Sequence, residues 1–188
     1  MKKLILLAAV ASLTVMTVRA QEVYKDGSAI VLDLSVAAGM PSGVVTTTKK
    51  YVGFTPYANV LGTDNDHNGA INATVYHKLE VAPADINTAG GTTGGTMQMT
   101  WVTAFYACKN ATINGTTGWR LPTQRELMNI WIFRDAIVAL GGTTFTAFNY
   151  WSATENIASD AWYVNFSSGY TFINNKTPSY SVRCVREL

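Results

Sequence analysis

Short runs of β-branched and apolar residues, broken by Gly, Pro and Asn, fill the chain from Tyr24 to about Val81. SAIVLDLSV, GVVTTTKKYVGF and INATVYHKLEV carry this pattern, which predicts strands joined by turns. Residues 85–96, DINTAGGTTGGT, are too polar and Gly-rich to pack, and predict a flexible loop or a weak internal boundary. The period then changes. Trp101, Ala104, Phe105 and Cys108 recur at helical steps behind Thr100, a candidate N-cap, and predict an amphipathic helix of about ten residues. A second helix is predicted after GWRLPTQREL, residues 118–127, with Leu127, Ile130, Trp131 and Arg134 on one side and Ile137 and Val138 carrying the apolar face toward Gly141. FNYWSAT, AWYVNFSSG, YTFIN and SVRCVREL then read as aromatic-rich strands. Strands, two helices and strands again give an α+β domain, its helices packed on antiparallel sheet.

The first residues change the picture of where this domain works. Lys2 and Lys3 precede an apolar run from Leu4 to Val18, and Ala20 offers a small residue for cleavage before Gln21. This is the pattern of a secretory signal peptide over residues 1–20, leaving a single domain over 21–188. The run, about 15 residues and diluted by Ser12, Thr14 and Thr17, is shorter than the roughly 20 that a bilayer core demands. No transmembrane segment is expected after cleavage, and the expected location is the periplasm, the outer surface or the medium. Loss of the leader takes Lys2, Lys3 and Arg19 with it, so Lys+Arg falls from 14 to 11 against 12 Asp+Glu. The mature chain is therefore near neutral, which argues against a nucleic-acid or anionic-membrane partner. Its cysteines, Cys108 and Cys184, are expected to form one disulfide in an oxidising compartment.

GWRLPTQREL supplies its own explanation. Pro122 disfavours helix for Leu121, the Thr123 hydroxyl can accept from the Glu126 amide, and the Glu126 carboxylate can reach back to the Thr123 amide. Thr123 and Glu126 thus form a predicted capping box that is sufficient without catalysis, since no nearby His, second carboxylate or nucleophile partners Glu126. Trp119 and Leu121 flank Arg120 as in a short extended segment with one buried face, which leaves Arg120 either a surface charge or, the favoured reading, a buried fork tying loops through carboxylates and carbonyls.

The order MTWVTAFYACKN, GWRLPTQREL, YWSATE, AWYVNFSSGY and VRCVREL, over about Met97 to Leu188, resembles the Lcl C-terminal domain family of secreted bacterial proteins, grouped with C-type-lectin-like folds. The resemblance implies a C-type-lectin-like fold, a Cys108–Cys184 pair joining the first helix to the last strand, and strands near residues 24–34 paired with the chain's end. GWRLPTQREL is also similar, more distantly, to a segment of the formylglycine-generating sulfatase-modifying enzymes. Those oxidases need two closely placed reactive cysteines near the C-terminus, where this chain has only Cys184.

Other candidate chemistry is sparse. DNDHNGAIN, Asp64 to Asn72, resembles the first half of an EF-hand loop, with Asp64, Asp66 and Asn68 at positions 1, 3 and 5, but Val75 stands where a bidentate carboxylate should close the shell. No cofactor is expected, and calcium there is expected to bind weakly or not at all. The carboxylate and amide triplets of calcium-dependent lectins are absent. His67 and His77 suit surface or structural roles, and Ser152 reads as a strand-end Ser without a G-x-S-x-G elbow. In AWYVNF, alternation places Trp162, Val164 and Phe166 in the core and turns Tyr163 and Asn165 outward, with Tyr170 beside them. These three, with the loop NIASD over residues 156–160, are the expected ligand surface. The expectation is a non-catalytic binding or adhesion module of a Gram-negative type of bacterium, taking a glycan or protein ligand at the cell surface. The competing reading is a structural subunit of a surface assembly such as a pilus.

Overall fold

The computed structural model describes residues 22–34, 78–92, 97–157 and 159–188. The predicted leader, the strand GVVTTTKKYVGF, the calcium-loop residues Asp64, Asp66 and Asn68, and both histidines lie outside the described residues.

Two antiparallel sheets and three helices make up the described α+β structure. The first sheet holds β1 (Glu22–Asp26), β2 (Ala29–Asp33), β3 (Lys78–Val81) and β7 (Val185–Glu187) in the order β1-β2-β3-β7. β1 and β2 form a hairpin about Gly27 and Ser28, with Asp26 opposite Ala29. The resemblance implied that this hairpin meets the chain's end. It does so only through β3, which pairs with β2 on one side and β7 on the other. Interior placement explains why Ile30, Val31, Leu32 and Asp33 of β2 are all buried, a continuous run instead of an alternation.

The second sheet is β4 (Asn149–Ile157), β5 (Asp160–Asn165) and β6 (Thr171–Asn175) in sequential order. α1 (Trp101–Lys109) packs one apolar cluster, which includes Trp101, Phe105, Trp119, Trp151 and Val182. α2 (Gln124–Ile132) and α3 (Arg134–Ala139) pack the other, around Leu127, Ile130, Ile137, Tyr150, Val164 and Phe166. Adjacent residues of β4, Tyr150 and Trp151, enter different clusters, as the alternation of a strand covered on both faces requires. Ser152 is accordingly not at a strand end. It is buried inside β4, where its hydroxyl donates to the Trp162 carbonyl at 2.8 Å.

Three local predictions meet the structure differently. Thr100 is the N-cap of α1 by position but makes no side-chain cap bond, its hydroxyl lying 3.0 Å from that of Thr103 instead. The predicted second helix divides at Phe133, where the Arg134 guanidinium donates to the Trp131 carbonyl at 2.7 Å. α3 ends where Gly141 takes φ +99°, its amide donating to Val138 and that of Gly142 to Ile137, the paired bonds of a Schellman stop. The polar stretch from residue 85 is anchored: Asp85 and Ile86 are buried, and the Ile86 amide donates to the Val182 carbonyl at 3.1 Å. Glycine density concealed two core positions at its start.

Cys108 and Cys184 form a disulfide with Cα atoms 5.6 Å apart. Cys184 lies immediately before β7, where the chain continues beside the segment that follows β3, the Ala82 amide donating to the Cys184 carbonyl at 2.9 Å. On the chain-entropy argument, closing a loop with a sequence separation of 76 stabilises the fold by roughly 4 kcal/mol.

Candidate functional site

An aromatic row crosses the second sheet. Trp151 of β4 stands opposite Tyr163 of β5, and Tyr163 opposite Phe172 of β6, so the three side chains leave the same face. Exposure rises along the row, from 0% at Trp151 through a half-buried Tyr163 to 50% at Phe172. The buried end is fixed. Trp151 donates its indole N–H to the Met99 carbonyl at 3.0 Å, and Tyr180 lies over it at 4.4 Å between ring centroids. Tyr163 meets Tyr180 edge-on at 5.1 Å, while the Asn174 amide donates to the Tyr180 hydroxyl at 2.6 Å. At the open end Tyr170, 54% exposed, is near-parallel to Phe172, with centroids 5.7 Å apart and planes inclined by 24°.

This platform combines apolar ring faces with phenol and amide groups at its margin. Burial, and then the neighbouring Tyr180 and Tyr170 phenols, push the Tyr163 phenol above its ordinary pKa. Two large exposed rings set by strand register beside a buried row can stack on an apolar ligand surface.

The predicted surface is thus partly assembled and partly redirected. Tyr163 and Tyr170 do come together, but Tyr163 is half-buried against Trp151 and Tyr180 instead of standing free. Asn165 is committed elsewhere. Its amide donates to Asn149 Oδ1 at 2.8 Å, and its Oδ1 accepts from the backbone and hydroxyls of Ser167 and Ser168, closing the β5–β6 turn. Trp162, expected in the core, is half-buried, because β6 lies at the sheet edge and leaves that face incompletely covered. NIASD joins β4 to β5, so it lies at the opposite end of β5 from the turn carrying Tyr170. Phe172, Asn174 and Tyr180 were not identified from the sequence. The step from Tyr170 to Phe172 hinted at a shared face, but the register opposite Tyr163 is what brings them together.

The platform is braced from behind. Gly169, at φ +75°, lies against the Trp131 indole, and a Cβ there would stand 2.5 Å from the ring. Trp131 donates to the Phe166 carbonyl at 3.1 Å, and Gln124 Nε2 to Thr171 Oγ1 at 2.9 Å, so α2 holds both sides of the hairpin tip.

GWRLPTQREL forms a joint between the two sheets. Arg120 exchanges two 2.9 Å backbone hydrogen bonds with Val185 of β7, while the Pro122 carbonyl accepts from Ala153 of β4 at 2.7 Å. Trp119 and Leu121 are buried on either side. The capping box is complete, with the Thr123 amide donating to Glu126 Oε2 at 2.8 Å and the Glu126 amide to Thr123 Oγ1 at 3.3 Å. Arg120 then grips both oxygens of the same carboxylate, the fork that its flanks suggested, with the carboxylate buried and Arg120 itself partly buried. The outer side of this joint borders a cleft of about 390 Å³, lined among others by Phe105, Lys109, Gly118, Leu121 and Arg186.

Further inside, charge is neutralised in pairs. Arg183 donates Nε–H to Asp85 Oδ1 at 2.8 Å, and Tyr150 donates its hydroxyl to Asp85 Oδ2 at 2.9 Å. Burial first, then the Asp85 charge, push the Tyr150 phenol up to about 12. Lys176 pairs with Glu155 beneath the Trp101 ring, and burial holds its ammonium below the usual lysine range. These carboxylates serve as structural counter-ions.

No curated protein matches the chain. The motif resemblance begins at about Met97, whereas the family match begins earlier, taking in β3 and the buried Asp85 and Ile86. With residues 65–186 matched by the model of the Lcl C-terminal domain, the chain belongs to the Lcl C-terminal domain family.

Proposed function

We propose that this chain is an exported, non-catalytic binding module of a bacterial surface, and that it holds a glycan by stacking on Tyr170 and Phe172. The single observation that carries the reading is the exposed near-parallel pair, anchored through Tyr163 to the buried Trp151. A sugar ring offers an apolar face to such rings and hydroxyls to the phenols and amide around them. The disulfide supports export to an oxidising compartment. A C-type-lectin-like arrangement is supported by the N-terminal and C-terminal strands sharing one sheet and by the disulfide tying α1 to the segment before β7. As a subunit of a polymer, the chain would offer, among the described strands, the outer strands β1, β7, β4 and β6; β1 and β6 have five residues each and carry charged or amide side chains, β7 is bridged by Arg120, and β4 is partly covered by Ser181 and Pro122.

Screening the secreted protein against immobilised glycans, with host-surface proteins as the second arm, tests the reading. Glycan binding that soluble sugar competes away supports it. Binding to proteins alone would retain the module and reject the glycan, and turnover of a bound ligand would reject the non-catalytic assignment.

A further inference from the structure

The cleft beside GWRLPTQREL carries a second inference, independent of the aromatic platform. Its base is apolar, formed by Phe105, Leu121 and Ala153, all nearly or fully buried. Its volume, about 390 Å³, falls within the range of small-ligand sites. Thr117 and Gly118 form an exposed edge, where ligand can approach the main chain.

Charge around the cleft is arranged by depth. Arg120 faces Glu126 beneath it and has Glu187 Oε1 at 3.5 Å from Nε. Arg186 holds Glu80 through Nε and Nη2, which leaves Nη1 outside that contact, and Glu80 is itself buried. Lys109, at the end of α1, has no acidic partner among the described residues; its ammonium lies 6.0 Å from the centre of the Tyr106 ring. Glu126 and Glu80 sit behind the two arginines, whereas Glu187 lines the cleft beside Arg120 with a partly exposed side chain; Lys109 and Arg186 line the same opening, so three cationic side chains face one carboxylate there.

From this juxtaposition we infer that the cleft binds a carboxylate borne next to a compact apolar group, as at the C-terminal residue of a peptide. The carboxylate would lie between Lys109 and Arg186, and the apolar side chain over Phe105, Leu121 and Ala153. A glycan fits this floor less well, because its ring hydroxyls would lie over Phe105, Leu121 and Ala153. A peptide also brings its own amide to the exposed Thr117–Gly118 backbone, which a free carboxylic acid does not.

Amide NMR titration of the intact protein with acetyl-Gly-Gly-Leu, its C-terminal amide, isovalerate and glucuronate tests the inference. The peptide acid is expected to shift resonances around Lys109, Gly118 and Leu121, with the amide form binding at least about tenfold more weakly for loss of the charge-assisted contacts. Lys109→Gln should weaken the acid by a similar factor, and Thr117→Phe, an exposed rim change that leaves the core intact, should block it. Equal binding of acid and amide, no shifts at the cleft, or shifts confined to Tyr170 and Phe172 would overturn the inference. Isovalerate binding as tightly as the peptide would overturn the peptide assignment, and glucuronate binding more tightly would overturn the apolar one.

Discussion

The Arg120 guanidinium donates to both oxygens of the Glu126 carboxylate at 2.8 Å, and one of those oxygens also accepts the Thr123 amide that opens α2. One buried carboxylate thereby fixes the helix start and the strand segment that joins the two sheets. Glu126→Ala would remove the bidentate partner of Arg120, whose Nε lies 3.5 Å from Glu187, and is expected to cost about 3 kcal/mol. Thr123→Ala removes only the cap acceptor and should cost about 1 kcal/mol. Urea unfolding of both variants measures the difference, and affinity for a ligand of the aromatic platform should not change with Thr123→Ala.

Tyr150 gives the fold an alkaline limit. Its folded pKa, raised from 10.0 to about 12, means that the native state retains a proton the unfolded state has lost. The associated stability is fully present below pH 10.0 and disappears as pH rises toward about 12, a loss on the order of 2–3 kcal/mol. Denaturant midpoints across that window should fall in the native protein. Tyr150→Phe should start lower, having lost the bond to Asp85, but should show a shallower decline.

The Cys108–Cys184 bond is sealed, both residues being fully buried. Intact mass is expected to stay unchanged in reductant alone and to rise by two hydrogens only when reductant and denaturant are combined. Replacing both cysteines by alanine should cost between about 2 and 5 kcal/mol. A native protein with two free thiols would contradict the bond.

What the sequence revealed and concealed follows from how local each feature is. The α1 stripe from Trp101 to Cys108 and the Thr123–Glu126 cap depend on residues within one or two helical turns, and both helices begin where the sequence places them. Arg120 could be read as a fork from its flanks, but its partner follows from the turn at Pro122. The platform depends on strand register. Trp151, Tyr163 and Phe172 meet because two hairpins align them, and alternation within AWYVNF could not show that Tyr180 packs against that face. Asn165 illustrates the same limit, since its outward position was legible while its commitment to Ser167 and Ser168 depends on the fold of the turn. Asp85 looked like part of a polar loop because Arg183 and Tyr150, its partners, lie far away in the chain.

Asn165 and Gly169 should respond as parts of the platform's frame. Asn165→Ala is expected to cost about 1 kcal/mol by removing the turn's hydrogen bonds. Gly169→Ala should cost more, because a positive φ and contact with Trp131 both oppose a Cβ. Thermal melts rank the two, and tryptophan fluorescence should change for Gly169→Ala as Trp131 is displaced.

The most direct measurement of the central claim compares glycan-array binding of the native protein with that of Tyr170→Ala/Phe172→Ala. Both rings are exposed, so the double variant should retain its melting temperature within a few degrees or about 1 kcal/mol of stability. The account predicts that the native protein binds a defined set of glycans and that the folded double variant loses them by about tenfold or more. Undiminished glycan binding by the folded double variant would contradict the placement of the site, and a properly folded native protein that binds no glycan would contradict the proposed ligand.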